Sequence, residues 1–121
     1  MSNYQKLEVW TESMQLVNEI YIETKKYPKE ELYGLTSQTR RAAVSIPSNI
    51  AEGMGRQYKK DTIQFIHVAR GSVYELETLL NIAVMIRIAS EGSFSKVLLL
   101  IEKVMKLLNG LINYLENAKR K

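Results

Sequence analysis

From Gly34 to Gly55 the chain carries two helical faces of different character. Leu35, Thr39, Ala42, Ala43, Ile46 and Ile50 recur at spacings of three and four, with one short step between the two alanines. That is the period of a helix buried along one side. Gln38, Arg41, Ser45, Ser48 and Glu52 recur at the same spacings on the opposite side. A helix face turned to water is ordinarily rich in Lys and Glu. This stretch holds no Lys and no Asp, and its charges are Arg40, Arg41 and Glu52. Small polar side chains opposite an apolar stripe predict a helix covered twice, once by its own chain and once by a partner chain. Gln38, Arg41, Ser45, Ser48 and Glu52 are therefore the candidate oligomer interface.

Three further segments keep the helical period. The first is predicted over residues 5–26, with Leu7, Trp10, Met14, Val17 and Tyr21 as its core stripe, Ile20 widening it, and Trp10 read as core. Twenty-two residues make a rod of roughly 33 Å. Tyr27-Pro28 ends it, because a residue before proline is pushed out of the α region. The second helix, from Glu31 or Gly34 to Met54, contains Pro47, which removes one backbone donor and crowds the carbonyl of Ala43. The helix either kinks there or restarts with Ser48 or Asn49 as cap. Unbroken spacing from Ile46 to Ile50 favours a kinked, continuous helix, with Gly53-Met54-Gly55 as its terminator. The third runs from about Lys59 to Ile88, with Ile63, Ile66, Ala69, Val73, Leu76 and Leu80 on one face. Gly71 lies inside it, where glycine costs up to about 1 kcal/mol against alanine, so a close backbone neighbour beside Ser72 is expected. The fourth covers about 93–117, capped by Ser90 or Ser93, with an apolar face wider than one neighbouring helix requires.

No segment alternates with period two, so nothing argues for a sheet. Four long helices with short links predict an all-α, antiparallel up-down-up-down four-helix bundle, with residues 1–121 as one domain.

The residues for chemistry are sparse. A di-iron bundle needs inward glutamates and two Glu-x-x-His pairs, and this chain has one histidine, His67, with Gln64 three residues before it. The single histidine gives little basis for a Ser-His pair. Absence of cysteine removes thiol chemistry, disulfides and thiolate-bound metal. Gly53-Met54-Gly55-Arg56 lacks the preceding strand and third glycine of a dinucleotide loop, and the Gly-Lys-Ser/Thr of a P-loop. Glu75 and Glu77 point to different sides of a helix. The expectation is a protein that is not an enzyme, with no cofactor and no metal.

Charge is more informative. The net charge is +4, and the excess lies between Thr36 and Arg70, where Arg40, Arg41, Arg56, Lys59, Lys60 and Arg70 face only Glu52 and Asp61. A localised basic patch is the footprint of a polyanion-binding surface; a solvated face with a small imbalance is the plainer reading. Lys59 and Lys60 oppose the helix dipole at the start of the third helix, which points to a demand other than helix stability. Lys119-Arg120-Lys121 is a separate cluster, read as a frayed end. Apolar runs fall far short of the ~20 residues that span a bilayer. The opening Met-Ser-Asn-Tyr-Gln-Lys lacks a signal-peptide pattern. A cytoplasmic protein with no membrane partner is the expectation.

The run Arg40-Arg41-Ala42-Ala43-Val44-Ser45-Ile46-Pro47-Ser48-Asn49-Ile50-Ala51-Glu52-Gly53-Met54-Gly55-Arg56 closely resembles the signature of the four helix bundle protein family, also called the 23S ribosomal RNA intervening-sequence protein family. Lys6-Leu7-Glu8-Val9-Trp10 resembles the opening of that family. Tyr33-Gly34-Leu35 with Gln38 resembles its approach to helix two. Phe65, Ala69-Arg70-Gly71-Ser72 and Glu75-Leu76-Glu77 resemble its helix three. Tyr58 departs from the pattern, standing where the family usually has a serine cap. The resemblance implies a left-handed antiparallel bundle assembled as a ring-like homopentamer, as in relatives that include the accessory protein of diversity-generating retroelements. That relative has a basic surface associated with RNA and with a reverse transcriptase. Many members are encoded inside insertions in large-subunit ribosomal RNA genes, a setting that points toward RNA.

Two functional expectations follow. In the first, Arg56, Lys59 and Lys60, with Arg40 secondary, contact the phosphates of RNA or DNA at the corner between helices two and three, repeated around a homo-oligomer. Arg41 then pairs with Glu52 or a neighbouring subunit, and Arg70 with Glu75 or Glu77. In the second, the oligomer is a scaffold for a partner protein, with no direct nucleic-acid contact.

Overall fold

A computed structural model of the chain describes residues 3–118. Four long helices carry the fold: α1, Glu8–Thr24; α2, Ser37–Met54; α3, Lys59–Met85; and α4, Ser95–Ala118. Short 3₁₀ turns at Asn3–Lys6, Lys29–Glu31 and Glu91–Phe94 precede α1, α2 and α4, and a π-helical turn at Leu32–Thr36 leads directly into α2. No strand occurs among the described residues. Each helix packs on its chain neighbours, and α4 closes the ring by packing on α1.

Side-chain pairs set the directions. Arg40 of α2 reaches Thr24 at the end of α1. Ser45 meets Ser72, and Thr62 meets Gly53, so α2 and α3 run opposite ways. Arg70 of α3 reaches Asn109 of α4. Lys96 pairs with Glu19, while Lys103 pairs with Glu8 and Glu12, so α4 runs against α1. This is the antiparallel up-down-up-down bundle that the periodicity predicts.

The core is built where the helical stripes meet. Leu16 and Ile20, Ile46 and Ile50, Ile66 and Leu76, and Val104 and Leu108 are all sealed from water. On α1 the buried stripe is displaced by about one residue from the expected one. Val9, Ser13, Leu16, Ile20 and Thr24 face inward, whereas Met14 and Tyr21 are exposed. Ser13 and Thr24 tolerate burial because their hydroxyls donate to the carbonyls of Trp10 and Ile20, at 2.8 and 2.7 Å, so neither hydroxyl is left unpaired. Trp10 is half-buried and packs against the core, its ring edge-on to Tyr4 at 5.5 Å.

α2 runs without interruption through a buried Pro47. It does not restart at Ser48 or Asn49. Asn49 lies inside the helix and donates its amide to the Ser45 carbonyl at 2.8 Å. α2 ends at Met54 with Gly55 as its C-cap, so the Gly53-Met54-Gly55 run closes it as expected. Gly53 itself lies buried within the last turn, where α3 crosses tightly: a Cβ there would stand 2.7 Å from Phe65 Cβ and 3.2 Å from the Thr62 carbonyl. Gly71, by contrast, has nothing within 4 Å of where its Cβ would be, so the expected close neighbour is absent among the described residues.

α3 ends three residues earlier than expected. Its last turn is closed by Arg87 in the left-handed region, φ 66°. Arg87 N–H donates to the Val84 carbonyl, and Ile88 N–H to the Ala83 carbonyl, the two bonds of a Schellman ending. Ahead of α4, Ser90 makes no capping bond through its side chain, and the Ser93 hydroxyl donates back to the Ser90 carbonyl at 2.6 Å.

Candidate nucleic-acid interface

The antiparallel topology brings the α2–α3 link and the opening turns of α1 to the same end of the bundle. At that end Arg56, Gln57, Tyr58, Lys59 and Lys60 form an uninterrupted exposed run. Tyr58 precedes the first turn of α3 in extended geometry, φ −103° and ψ 133°, and its side chain makes no capping hydrogen bond. The departure at this cap position thus has a structural consequence. A serine would satisfy an N–H group of the first turn, whereas Tyr58 turns its ring outward, 63 % exposed. Lys59 and Lys60 follow it, and neither forms an ion pair among the described residues.

Arg56 is more constrained. Its guanidinium donates to a Glu52 carboxylate oxygen at 2.7 Å and lies 4.6 Å over the Phe65 ring. Stacking on an aromatic face orients the planar group and leaves its outer edge in water. Glu52 therefore partners Arg56 rather than Arg41. Arg41 is exposed on α2 with no hydrogen bond or ion pair among the described residues. Arg40 stands apart from the corner, near the opposite end of α2. Its Nε donates to Thr24 Oγ1 at 2.9 Å, and its guanidinium lies 4.5 Å over Tyr21. It fastens α2 to the C-terminal end of α1, where a cation is also favoured by the helix dipole.

The remaining predicted interface residues divide. Gln38 and Ser48 are exposed on α2. Ser45 is half-buried and turned toward α3, within a directed chain of hydrogen bonds. Asn49 Nδ2 donates to Ser45 Oγ at 2.9 Å, Ser45 Oγ lies 2.8 Å from Ser72 Oγ, and Ser72 donates to the Val68 carbonyl at 3.2 Å. Arg70 bonds Asn109 Oδ1 at 2.9 Å and lies 3.1 Å from His67 Nδ1, so its partners are on α4 and one turn back, not Glu75 or Glu77. The Lys119-Arg120-Lys121 cluster lies outside the described residues.

Two large surface grooves flank α2 on its α1 side. One, of about 640 Å³, is lined by Tyr21, Tyr33, Arg40 and Arg41; the other, of about 310 Å³, by Trp10, Met14, Pro47 and Ser48; Val44 lines both. No cluster of three metal-binding side chains occurs among the described residues. No helix among them is long and apolar enough to cross a membrane.

The sequence model of the 23S rRNA-intervening sequence proteins matches residues 5–110. The chain belongs to that family. Among solved structures it is similar to a protein of unknown function from the S23 ribosomal protein family of Bacteroides thetaiotaomicron VPI-5482. The TM-score is 0.78 at 21 % identity, over 86 % of this chain and 97 % of that one. At that identity the likeness concerns the fold alone. No curated protein sequence matches the chain.

Proposed function

We propose that this member of the family is a cytoplasmic, non-enzymatic homo-oligomer that binds structured RNA or another nucleic acid through the α2–α3 corner. The resemblance implies five copies in a ring. The reading rests on one observation: Lys59 and Lys60 stand side by side and exposed beyond an exposed Tyr58, unpaired among the described residues, at a helix start without a side-chain cap. Ammonium groups there cost helix stability and gain a phosphate. An adjacent aromatic ring offers a stacking face for an unpaired base. Arg56, held over Phe65, supplies a third cation per copy.

The test is fluorescence anisotropy with a labelled RNA hairpin and a DNA duplex, at about 50 and 200 mM salt, where phosphate-dominated binding differs by orders of magnitude. The expected result is steep salt dependence, and at least about a tenfold loss for the double variant Lys59→Glu, Lys60→Glu. Equal affinity in the double variant, or no binding at the lower salt, overturns the reading. A scaffold for a partner protein is the second reading. It is favoured by Leu99, 69 % exposed on α4. A partner recovered equally with and without nuclease, together with absent RNA binding, would select it.

A further inference from the structure

The bundle carries two apolar surfaces of opposite charge on opposite sides. In the cyclic order α1–α2–α3–α4, the groove between α1 and α2 lies across the molecule from the groove between α3 and α4. The α1–α2 side exposes Met14, Tyr21, Tyr33 and Val44 beside a half-buried Trp10. The only charged residues lining its grooves are Arg40 and Arg41. The α3–α4 side exposes Tyr74, Met85 and Leu98. Its two grooves, of about 590 and 380 Å³, meet at Leu98 and are lined by Glu77, Glu91 and Glu102 against a single cation, Lys106. One side is therefore rich in Trp, Tyr, Met and Arg, the side chains enriched where proteins meet. The other offers apolar relief with an acidic surplus.

We infer that these two sides bind each other between copies: the α1–α2 face of one chain seats on the α3–α4 face of the next, with Arg41 directed at Glu77 and Glu102 of its neighbour. The inference rests on the oligomeric reading above and supplies its geometry. A contact between two different faces is head-to-tail, so each copy keeps one free face until the assembly closes into a ring or continues as a filament. A contact of the α1–α2 face with itself would gather four arginines, Arg40 and Arg41 of each copy, in one interface whose grooves are lined by no carboxylate. Like charges across an interface are strongly disfavoured. The outward side of α2 is then covered by a second chain, which accounts for its lack of lysine.

Absence of cysteine makes the test direct. Val44→Cys places a thiol on one face and Leu98→Cys on the other, at positions 40 % and 47 % exposed, where the change leaves the core intact. Without nucleic acid, and under mild oxidation, each single variant is expected to stay uncrosslinked. An equal mixture gives Val44→Cys to Leu98→Cys dimers, and the double variant gives a ladder of covalent multimers. Adding Arg41→Glu to the Val44→Cys chain lowers the yield at least fivefold, and Glu77→Lys with Glu102→Lys in the Leu98→Cys chain restores it. Homotypic disulfides from Val44→Cys alone overturn the inference in favour of a two-fold contact. An uncrosslinked mixture that sediments as an oligomer overturns it while leaving oligomerisation standing. A mixture that sediments as single chains overturns both. A yield indifferent to the charge changes overturns the arginine–glutamate pairing.

Discussion

Gly53 and Phe65 approach so closely that a Cβ on the glycine would stand 2.7 Å from the Cβ of the phenylalanine. The contact lies where α2 hands over to α3, and the Thr62 hydroxyl donates to the Gly53 carbonyl at 2.8 Å across the same point. Gly53→Ala gains up to about 1 kcal/mol of helix propensity, but forces apart a backbone and a Cβ, neither of which is a flexible end. Overpacking of that kind costs about 1–3 kcal/mol, so net destabilisation is expected. Gly71→Ala, at an exposed site with open space around it, is expected to stabilise by about 0.5–1 kcal/mol. Urea midpoints at one fixed protomer concentration measure both, since assembly also shifts apparent stability. Equal and positive shifts would show that α2 and α3 are not in contact at Gly53.

Arg87 is the only non-glycine residue at positive φ among the described residues. A side chain in that region costs about 1–2 kcal/mol relative to its usual conformations, and both hydrogen bonds that close α3 depend on the geometry. Arg87→Gly is expected to raise stability by about 1 kcal/mol. Arg87→Ala, which keeps the Cβ, should give no such gain. Thermal unfolding of the two variants beside the parent chain separates backbone relief from loss of the charge.

The two outcomes also mark how far the sequence could be read. The inward faces of α2 and α3 follow from period: Leu35, Thr39, Ala42, Ala43, Ile46 and Ile50, and Ile63, Ile66, Ala69, Val73, Leu76 and Leu80, are all buried. On α4 the wide apolar face blurs the period, so that Leu98 lies exposed and Val104 is sealed from water. On α1 the true stripe includes Ser13, Glu19 and Thr24, which hydropathy assigns to water. Their burial depends on bonds to the helix's own carbonyls and, for Glu19, on Lys96 of α4 at 3.3 Å. Neither is visible before the fold is known. The Gly53-Met54-Gly55 run reads as a terminator, and α2 does end there with Gly55 as its C-cap; only the position of α3 shows that Gly53 also supplies space. At the basic corner, Arg41 is expected to pair with Glu52 or a neighbouring subunit, whereas Glu52 pairs with Arg56 at the i,i+4 spacing of one helix face. The stacking of Arg56 on Phe65 was not legible, since it joins two helices.

Tyr27 is buried, 8 % exposed, at the start of the α1–α2 connection, and its hydroxyl has no hydrogen-bond partner among the described residues. Burial, reinforced by the Glu23 carboxylate, pushes its phenol up to about 12. For an acid whose folded value lies above its unfolded one, the unfolded chain ionises first. The associated stability is thus complete below about pH 10 and declines as pH rises from there toward 12, by about 1.4 kcal/mol for each unit of difference. Tyr27→Phe removes both the unpaired hydroxyl and the ionisation. It is expected to match or exceed the parent at pH 7, and to lose less stability between pH 10 and 12. Denaturant midpoints at pH 7, 10 and 11 decide this; parallel decline in both chains would place the alkaline sensitivity elsewhere.

In the proposed function, Glu52 sets how strongly Arg56 can serve a phosphate. The guanidinium is shared between the carboxylate at 2.7 Å and the Phe65 ring, and both partners of the ion pair are largely exposed, so the pair adds no more than about 1 kcal/mol to stability. Glu52→Gln removes the competing negative charge while the ring still holds the guanidinium in place. In the proposed function this variant binds an RNA hairpin more tightly than the parent by about two- to fivefold at low salt. Its log–log salt slope steepens by up to about one, the increment for one further phosphate contact. Phe65→Leu combined with Glu52→Gln releases the arginine from both constraints and should give back part of that gain, because an unheld side chain pays more entropy on binding. Affinity that falls or stays level in Glu52→Gln, with folding unchanged by circular dichroism, would remove Arg56 from the nucleic-acid contact and leave the corner to Lys59 and Lys60.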